Sequence, residues 1–233
     1  MSAVRENGVI VAIDGPSGAG KSSLTRLLAR RLGYIHIDTG AMFRAVALMS
    51  RRAGIASDDD ARLAELCRGL EISFVRDGEN CRVLANGEDV STEIRSEEIG
   101  LLTSAISARK PVREALLTMQ RAMGAKGGVI LEGRDIGTVV FPDAEVKFFL
   151  SASAEERGRR RYLELAARGD AATLEETIAK VIQRDRQDEG REHAPLKQAE
   201  DALAIDSTSL SIDEVLAVME NAVRERLSRG NKG

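Results

Sequence analysis

Gly15, Pro16, Ser17, Gly18, Ala19, Gly20, Lys21 and Ser22 stand in the order G-x-x-x-x-G-K-S, a spacing suited to gripping a polyphosphate. Glycines let the backbone wrap closely, so that successive N–H groups and a helix N-terminus face phosphate oxygens. Lys21 is then placed to reach the outer phosphates, and Ser22 to ligate Mg²⁺ directly. A plain glycine-rich turn at the end of a strand has no need of Lys followed by Ser at that distance. The candidate nucleotide contacts run from Gly15 through Ser23. The motif alone identifies only a superfamily, because GTPase switches, ATP-driven motors and small-molecule kinases share it.

The elements around the loop have the form it requires. Val9 to Asp14 (VIVAID) is an apolar, β-branched run of the kind that forms a buried parallel strand. Leu24, Leu27, Leu28 and Leu32 recur at helical spacing up to Gly33, a C-terminal stop. Further strands fit Tyr34 to Ile37, Val129 to Leu131, Val146 to Leu150 and Leu203 to Ile205, separated by helix-length stretches. This alternation predicts an α/β fold with a five-stranded parallel sheet. Ser153 with Glu156, Thr173 with Glu176, and Ser211 with Glu214 carry the S/T-x-x-E spacing of capping boxes. Leu70 to Val90 breaks the rhythm with short alternating runs around the turn DGEN, which predicts a small antiparallel insertion.

Composition narrows the partners. With 34 Lys plus Arg against 37 Asp plus Glu, the formal charge of -3 offers no global field for nucleic acid or an anionic membrane. An aromatic content of 3% also argues against stacking on bases of a nucleic acid. Cys67 and Cys81 make neither a metal cluster nor a disulfide framework and are expected as reduced thiols. No apolar run approaches the roughly 20 residues of a membrane span, and MSAVRENG lacks the apolar segment of a secretory signal, so a cytoplasmic location is expected.

Seven segments, in order along almost the whole chain, resemble the bacterial cytidylate kinases: GPSGAGKSS (15–23), IDTGAMFRA (37–45), NGEDVSTEIRS (86–96), PVREALLTMQR (111–121), EGRDIGTVVFPDAEVKFFL (132–150), RDRQDEGREHAPL (184–196) and LAIDSTSLSIDEV (203–215). The resemblance implies a P-loop kinase core over 1–60, 114–156 and 192–233. It further implies an acceptor-binding insert of antiparallel β plus helix over 61–113, and a short helical lid with its flanking helix over 157–191. The reaction it implies is phosphoryl transfer from ATP, with Mg²⁺, to CMP or dCMP, by a monomer.

A phosphorylated acceptor brings its own anion, so such an enzyme needs arginines apart from the ATP loop. Arg44, just after the second strand, and Arg134, at the end of the third, are candidates, although either taken singly also fits a surface ion pair. Cytosine presents an amine donor beside two acceptors, which calls for one carboxylate and one or two donors. The resemblance puts Asp135 and Arg113 at the base, with Ser104 beside them. Uracil would turn a carbonyl towards that carboxylate and leave it unpaired. Arg184, Asp188 and Arg191, at i, i+4 and i+7, share one face of a continuous helix and by themselves read as a solvated ion-pair face. The resemblance gives Arg184 and Asp188 the sugar hydroxyls and Arg191 the acceptor phosphate.

It also implies lid arginines. Arg157 and Arg161 share a helical face and are the candidates for phosphate contact, while Arg159 faces solvent. Lys21, Arg134, Asp135 and Arg161 are thus the candidate catalytic residues. Thr39 and Phe43 stand where the family often has Ser and Tyr, so one hydroxyl is kept and one lost. Glu132 is placed to orient Mg²⁺ through water, and His36 and His193 have no catalytic pattern. Other acceptors, such as UMP or shikimate, and a non-enzymatic P-loop switch are the competing readings.

Overall fold

In the structure, a computed structural model, residues 5–77, 80–167, 169–191 and 194–230 are described. In chain order they form β1 (Ile10–Asp14), α1 (Lys21–Leu32), β2 (Ile35–Asp38), α2 (Thr39–Arg52), α3 (Asp60–Arg68), β3 (Ile72–Asp77), β4 (Asn80–Ala85) and β5 (Glu88–Asp89). Then come α4 (Glu97–Ile106), α5 (Lys110–Gly124), β6 (Val129–Gly133), β7 (Val146–Ser151), α6 (Ala154–Ala166), α7 (Leu174–Glu189), β8 (Leu203–Asp206) and α8 (Ile212–Gly230). The strands make a five-stranded parallel sheet of order β2-β6-β1-β7-β8 and an antiparallel sheet of order β3-β4-β5. Packing divides the chain into two units, Met1–Tyr34 with Gly127–Gly233, and Ile35–Lys126.

The first unit is built around β1, whose five residues are all buried because strands flank it on both sides. Val11, Ile13, Phe148, Leu150 and Ile205 of the sheet pack with Leu24 and Leu28 of α1 and with Val215, Leu216, Met219 and Val223 of α8. Each such side chain, fully buried, contributes about 1.5–3 kcal/mol. Helix α1 ends at Gly33 as its sequence predicts, with φ +71 and an N–H returned to Ala29 and Arg30. Helices α6 and α7 pack closely because Gly158 has no side chain, where a Cβ would overlap Ile178.

The capping signals divide in outcome. Thr173 and Glu176 close a full box on α7, and Ser211 and Glu214 bond reciprocally before α8. At α6 the box is half made. Ser153 accepts from Glu156 N–H at 3.1 Å, but the Glu156 carboxylate turns to Arg159 and Arg160, and Ser153 N–H donates to Thr208 instead. Two guanidiniums outcompete one peptide N–H for that carboxylate.

The second unit contains the antiparallel insertion, with Ile72 opposite Ala85 and Asp77 opposite Asn80, while Gly78 and Glu79 of the expected turn lie outside the described residues. Asp38 caps α2 by accepting Ala41 N–H at 2.9 Å. Helix α2 packs on α4, and α3 on α5, around buried Met42, Val46, Leu63, Ile99, Ile106 and Leu116. Cys67 and Cys81 are free thiols, and burial pushes the Cys67 thiol up to about 11. Among the described residues no helix is long and apolar enough to cross a membrane.

Candidate active site

The phosphate loop joins the end of β1 to the start of α1. Gly18 and Gly20 hold φ +78 and +91, left-handed values that favour glycine. Gly20 caps α1 without a side-chain hydrogen bond, so the first N–H groups of the helix have no side-chain partner at the cap. Lys21 is buried, and its Nζ donates to the Gly15 and Pro16 carbonyls at 2.7 Å each. Burial, then the Arg134 guanidinium, pulls its ammonium down to about 7, against the carboxylates of Glu132 and Asp14. An ammonium so destabilised gains most from an incoming polyphosphate.

Ser22 donates through Oγ to Glu132 Oε2 at 2.8 Å, and Glu132 is buried in β6. The hydroxyl and carboxylate expected to share a metal, 110 residues apart in sequence, therefore meet. Both are hard oxygen donors, a set that suits Mg²⁺ better than a softer metal.

Arg134 leaves the end of β6, and its Nε donates to Asp188 Oδ2 at 2.7 Å, while Arg191 reaches Asp188 Oδ1 at 2.5 Å. Burial works to raise the Asp188 pKa, but Arg134, then Arg191 and Arg184, hold the carboxyl below its ordinary value. The expected continuous helical face needs correcting, because α7 stops at Glu189 with Gly190 as its C-cap. Arg191 therefore lies beyond the helix and reaches Asp188 from the exit loop.

Asp135 follows Arg134 and opens a π-helical turn, Ile136–Val140. That turn is held by Asp14, which was not singled out from the sequence. Asp14 accepts Ile136 N–H at 2.8 Å and Gly137 N–H at 2.7 Å. Burial raises its carboxyl to about 6 even though those two bonds and Lys21 oppose the rise. The available signal was one charged residue ending an otherwise apolar strand.

Arg157 is held within the fold. Its side chain is 6% exposed and makes a bidentate pair with Asp185 at 2.7 and 2.9 Å, plus bonds to the Ala152 carbonyl at 2.8 Å and the Ser17 carbonyl at 3.2 Å. These four contacts occupy the guanidinium within the fold, one of them against the phosphate loop. Arg161 does stand open, 47% exposed and paired with Glu164, and Arg159 is exposed as expected. Arg160 ties α6 to Ser207 after β8.

In the second unit, the Arg113 guanidinium lies 5.7 Å from the centroid of the Phe43 ring and donates to the Ser107 carbonyl at 3.2 Å. Phe43 thus offers an aromatic face to the arginine expected at the base. Arg44 donates to the Ile94 carbonyl at 3.1 Å, Thr39 is buried at the start of α2, and Ser104 is exposed on α4. His36 is half-buried, its carbonyl near Cys81 Sγ, and His193 lies outside the described residues. Among the described residues no cluster of three or more His, Cys, Asp or Glu is placed to hold a metal.

Comparison with known proteins adds independent findings. A family model described as cytidylate kinase matches residues 11–225. A cytidylate kinase of Citrifermentans bemidjiense is 86% identical over 233 residues, covering 100% of both chains. One from Geobacter sulfurreducens is 70% identical over 226 residues, covering 97% of each. Among solved structures, an uncharacterized protein from Eubacterium ventriosum shares the fold with TM-score 0.52 at 11% identity, covering 93% of this chain and 98% of that one.

Proposed function

The chain belongs to the cytidylate kinase family and phosphorylates CMP or dCMP with ATP, and we propose the following division of labour among its residues. The phosphate loop, Gly15 to Ser23, wraps the ATP phosphates, with Lys21 moving from its carbonyl partners onto the outer ones. Ser22 and Glu132 would hold Mg²⁺, which would supply positive charge against the donor phosphates. Arg157 acts beneath the loop by keeping the Ser17 carbonyl in place.

Arg44, Arg134, Arg191 and Thr39 are assigned to the acceptor phosphate. Arg113, Asp135 and Ser104 read the cytosine, and Arg184 with Asp188 meets the sugar. Because both Asp188 oxygens already receive guanidiniums, its first task is to aim Arg134 and Arg191, and a sugar hydroxyl shares its remaining lone pairs. An oxygen of the acceptor phosphate attacks the γ-phosphorus in line, the bond to the β-phosphate oxygen breaks, and ADP leaves. That oxygen is already a competent nucleophile, so catalysis is positioning plus electrostatics, with no general base and no covalent intermediate. Arg161 closes from the exposed face of α6 and shields the transferring group from water. The work is assigned to a cytoplasmic monomer whose net charge of -3 draws neither nucleic acid nor membrane.

The observation that carries this reading is the shared anchoring of Arg134 and Arg191 by Asp188, which gathers two guanidiniums in addition to the Lys21 ammonium. Product analysis with ATP, Mg²⁺ and CMP, dCMP, UMP, AMP or shikimate tests it. CDP and dCDP are the expected products.

A further inference from the structure

β1 and β6 end level with one another, Asp14 opposite Gly133, and the residue after Asp14 is the first of the phosphate loop. From Gly133 the chain makes a short excursion through Arg134 and Asp135 and returns over the end of β1. There Ile136 and Gly137 donate to the two oxygens of Asp14. One end of the excursion is fixed by the β1–β6 ladder, and the other by a single carboxylate. The fit is tight, since a Cβ on Gly137 would lie 3.1 Å from Lys147 Cδ and 3.4 Å from Asp14 Oδ2.

We propose that Asp14 is a positioning residue for the acceptor nucleotide: it touches neither substrate, but fixes the direction of Arg134 and Asp135 and thereby sets acceptor affinity and base choice. The proposal rests on the reading that Arg134 and Asp135 hold the cytosine nucleotide. The chemistry requires a carboxylate, since only an ionised Asp offers an acceptor to each of two neighbouring N–H groups. An amide accepts one and sets its own NH₂ against the other. Burying a carboxylate is costly, and a hydroxyl or apolar residue would end β1 equally well. The two peptide groups, with the charge of the nearby Lys21 ammonium, account for its presence.

Asp14→Asn and Asp14→Ser, each assayed well below its own melting temperature, separate this role from a merely structural one. KM for CMP is expected to rise about tenfold or more while KM for ATP stays within about threefold, with the preference for CMP over UMP reduced. An unchanged KM for CMP, or KM values for CMP and ATP rising together, would overturn the proposal. In the unmodified protein, saturating CMP should slow amide exchange at Ile136 and Gly137 and saturating ATP alone should not. Equal exchange with and without CMP counts against the proposal even where neither variant folds. Asp135→Asn isolates the underlying assignment: if it retains the full CMP preference, Asp135 is not the base reader, and the KM split in the Asp14 variants still decides the positioning role.

Discussion

Arg134 donates through Nε to Asp188 at 2.7 Å, a bond between the end of β6 and the last turn of α7 that spans 54 residues of sequence. It fixes the direction of the arginine, which reduces the ordering required when an anion arrives. The second Asp188 oxygen does the same for Arg191. Asp188→Asn keeps the shape and removes the charge. We expect KM for CMP to rise about tenfold, worth about 1.4 kcal/mol, with KM for ATP little changed. Steady-state titration of each substrate checks this.

Lys21 links nucleotide binding to protons. Its ammonium titrates near 7 in the fold against 10.5 as the ordinary value. Because the folded pKa is depressed, the unfolded chain binds more protons between those values, and stability is highest above 10.5 and declines as pH falls through 7. Urea midpoints of the nucleotide-free protein should therefore rise from pH 7 to 9.5, and the slope should flatten in Lys21→Met. Asp14 works the other way at lower pH. Its carboxyl is raised to about 6, so its contribution is present below 3.8 and lost as pH rises through 6. ATP restores the Lys21 charge, and calorimetry in buffers of different ionisation enthalpy should show proton uptake on binding near pH 7.5.

Turnover itself should depend on the same side chain. Lys21→Ala is expected to cost about a hundredfold or more in kcat. A rapid-quench measurement of the transfer step distinguishes that loss from slowed product release.

Phe43 lies under Arg113 at 5.7 Å. A cation–π contact of about 0.5–1 kcal/mol corresponds to a twofold to fivefold effect, so Phe43→Ala should raise KM for CMP by about that factor. Phe43→Tyr keeps the ring and should match or improve on the parent. Both follow from initial-rate assays.

Arg157 and Asp185 form a buried pair beneath the phosphate loop. Removing one partner leaves the other uncompensated, so Arg157→Ala should destabilise the protein by about 3–5 kcal/mol. With the Ser17 carbonyl released, KM for ATP should rise more than KM for CMP. Denaturant unfolding and paired substrate titrations read the two effects separately.

The sheet was legible in the sequence because buried parallel strands are near-continuous apolar runs, and β1, β6 and β7 each show one. The phosphate loop was legible for a related reason, since its glycines and Lys-Ser pair leave little choice of geometry. What stayed hidden depends on partners far apart in the chain. Helical spacing puts Arg157 and Arg161 on one face but does not say how far that face is buried, and Arg157 finds Asp185 from 28 residues away. The Arg191 position turned on where α7 ends, and the helix stops at Glu189, two residues too soon for a shared face. Asp14 gave no spacing signal, because its partners are peptide groups of another strand's exit turn.

The most direct test of the account is the ratio of kcat/KM for CMP to that for UMP, measured with ATP and Mg²⁺ in the unmodified protein and in Asp135→Asn. A carboxylate that hydrogen-bonds the cytosine amine rejects the base lacking it, so we expect a preference of about a hundredfold or more in the parent, collapsing in the variant. Equal or better use of UMP by the parent would contradict the assignment of a cytosine-reading acceptor site.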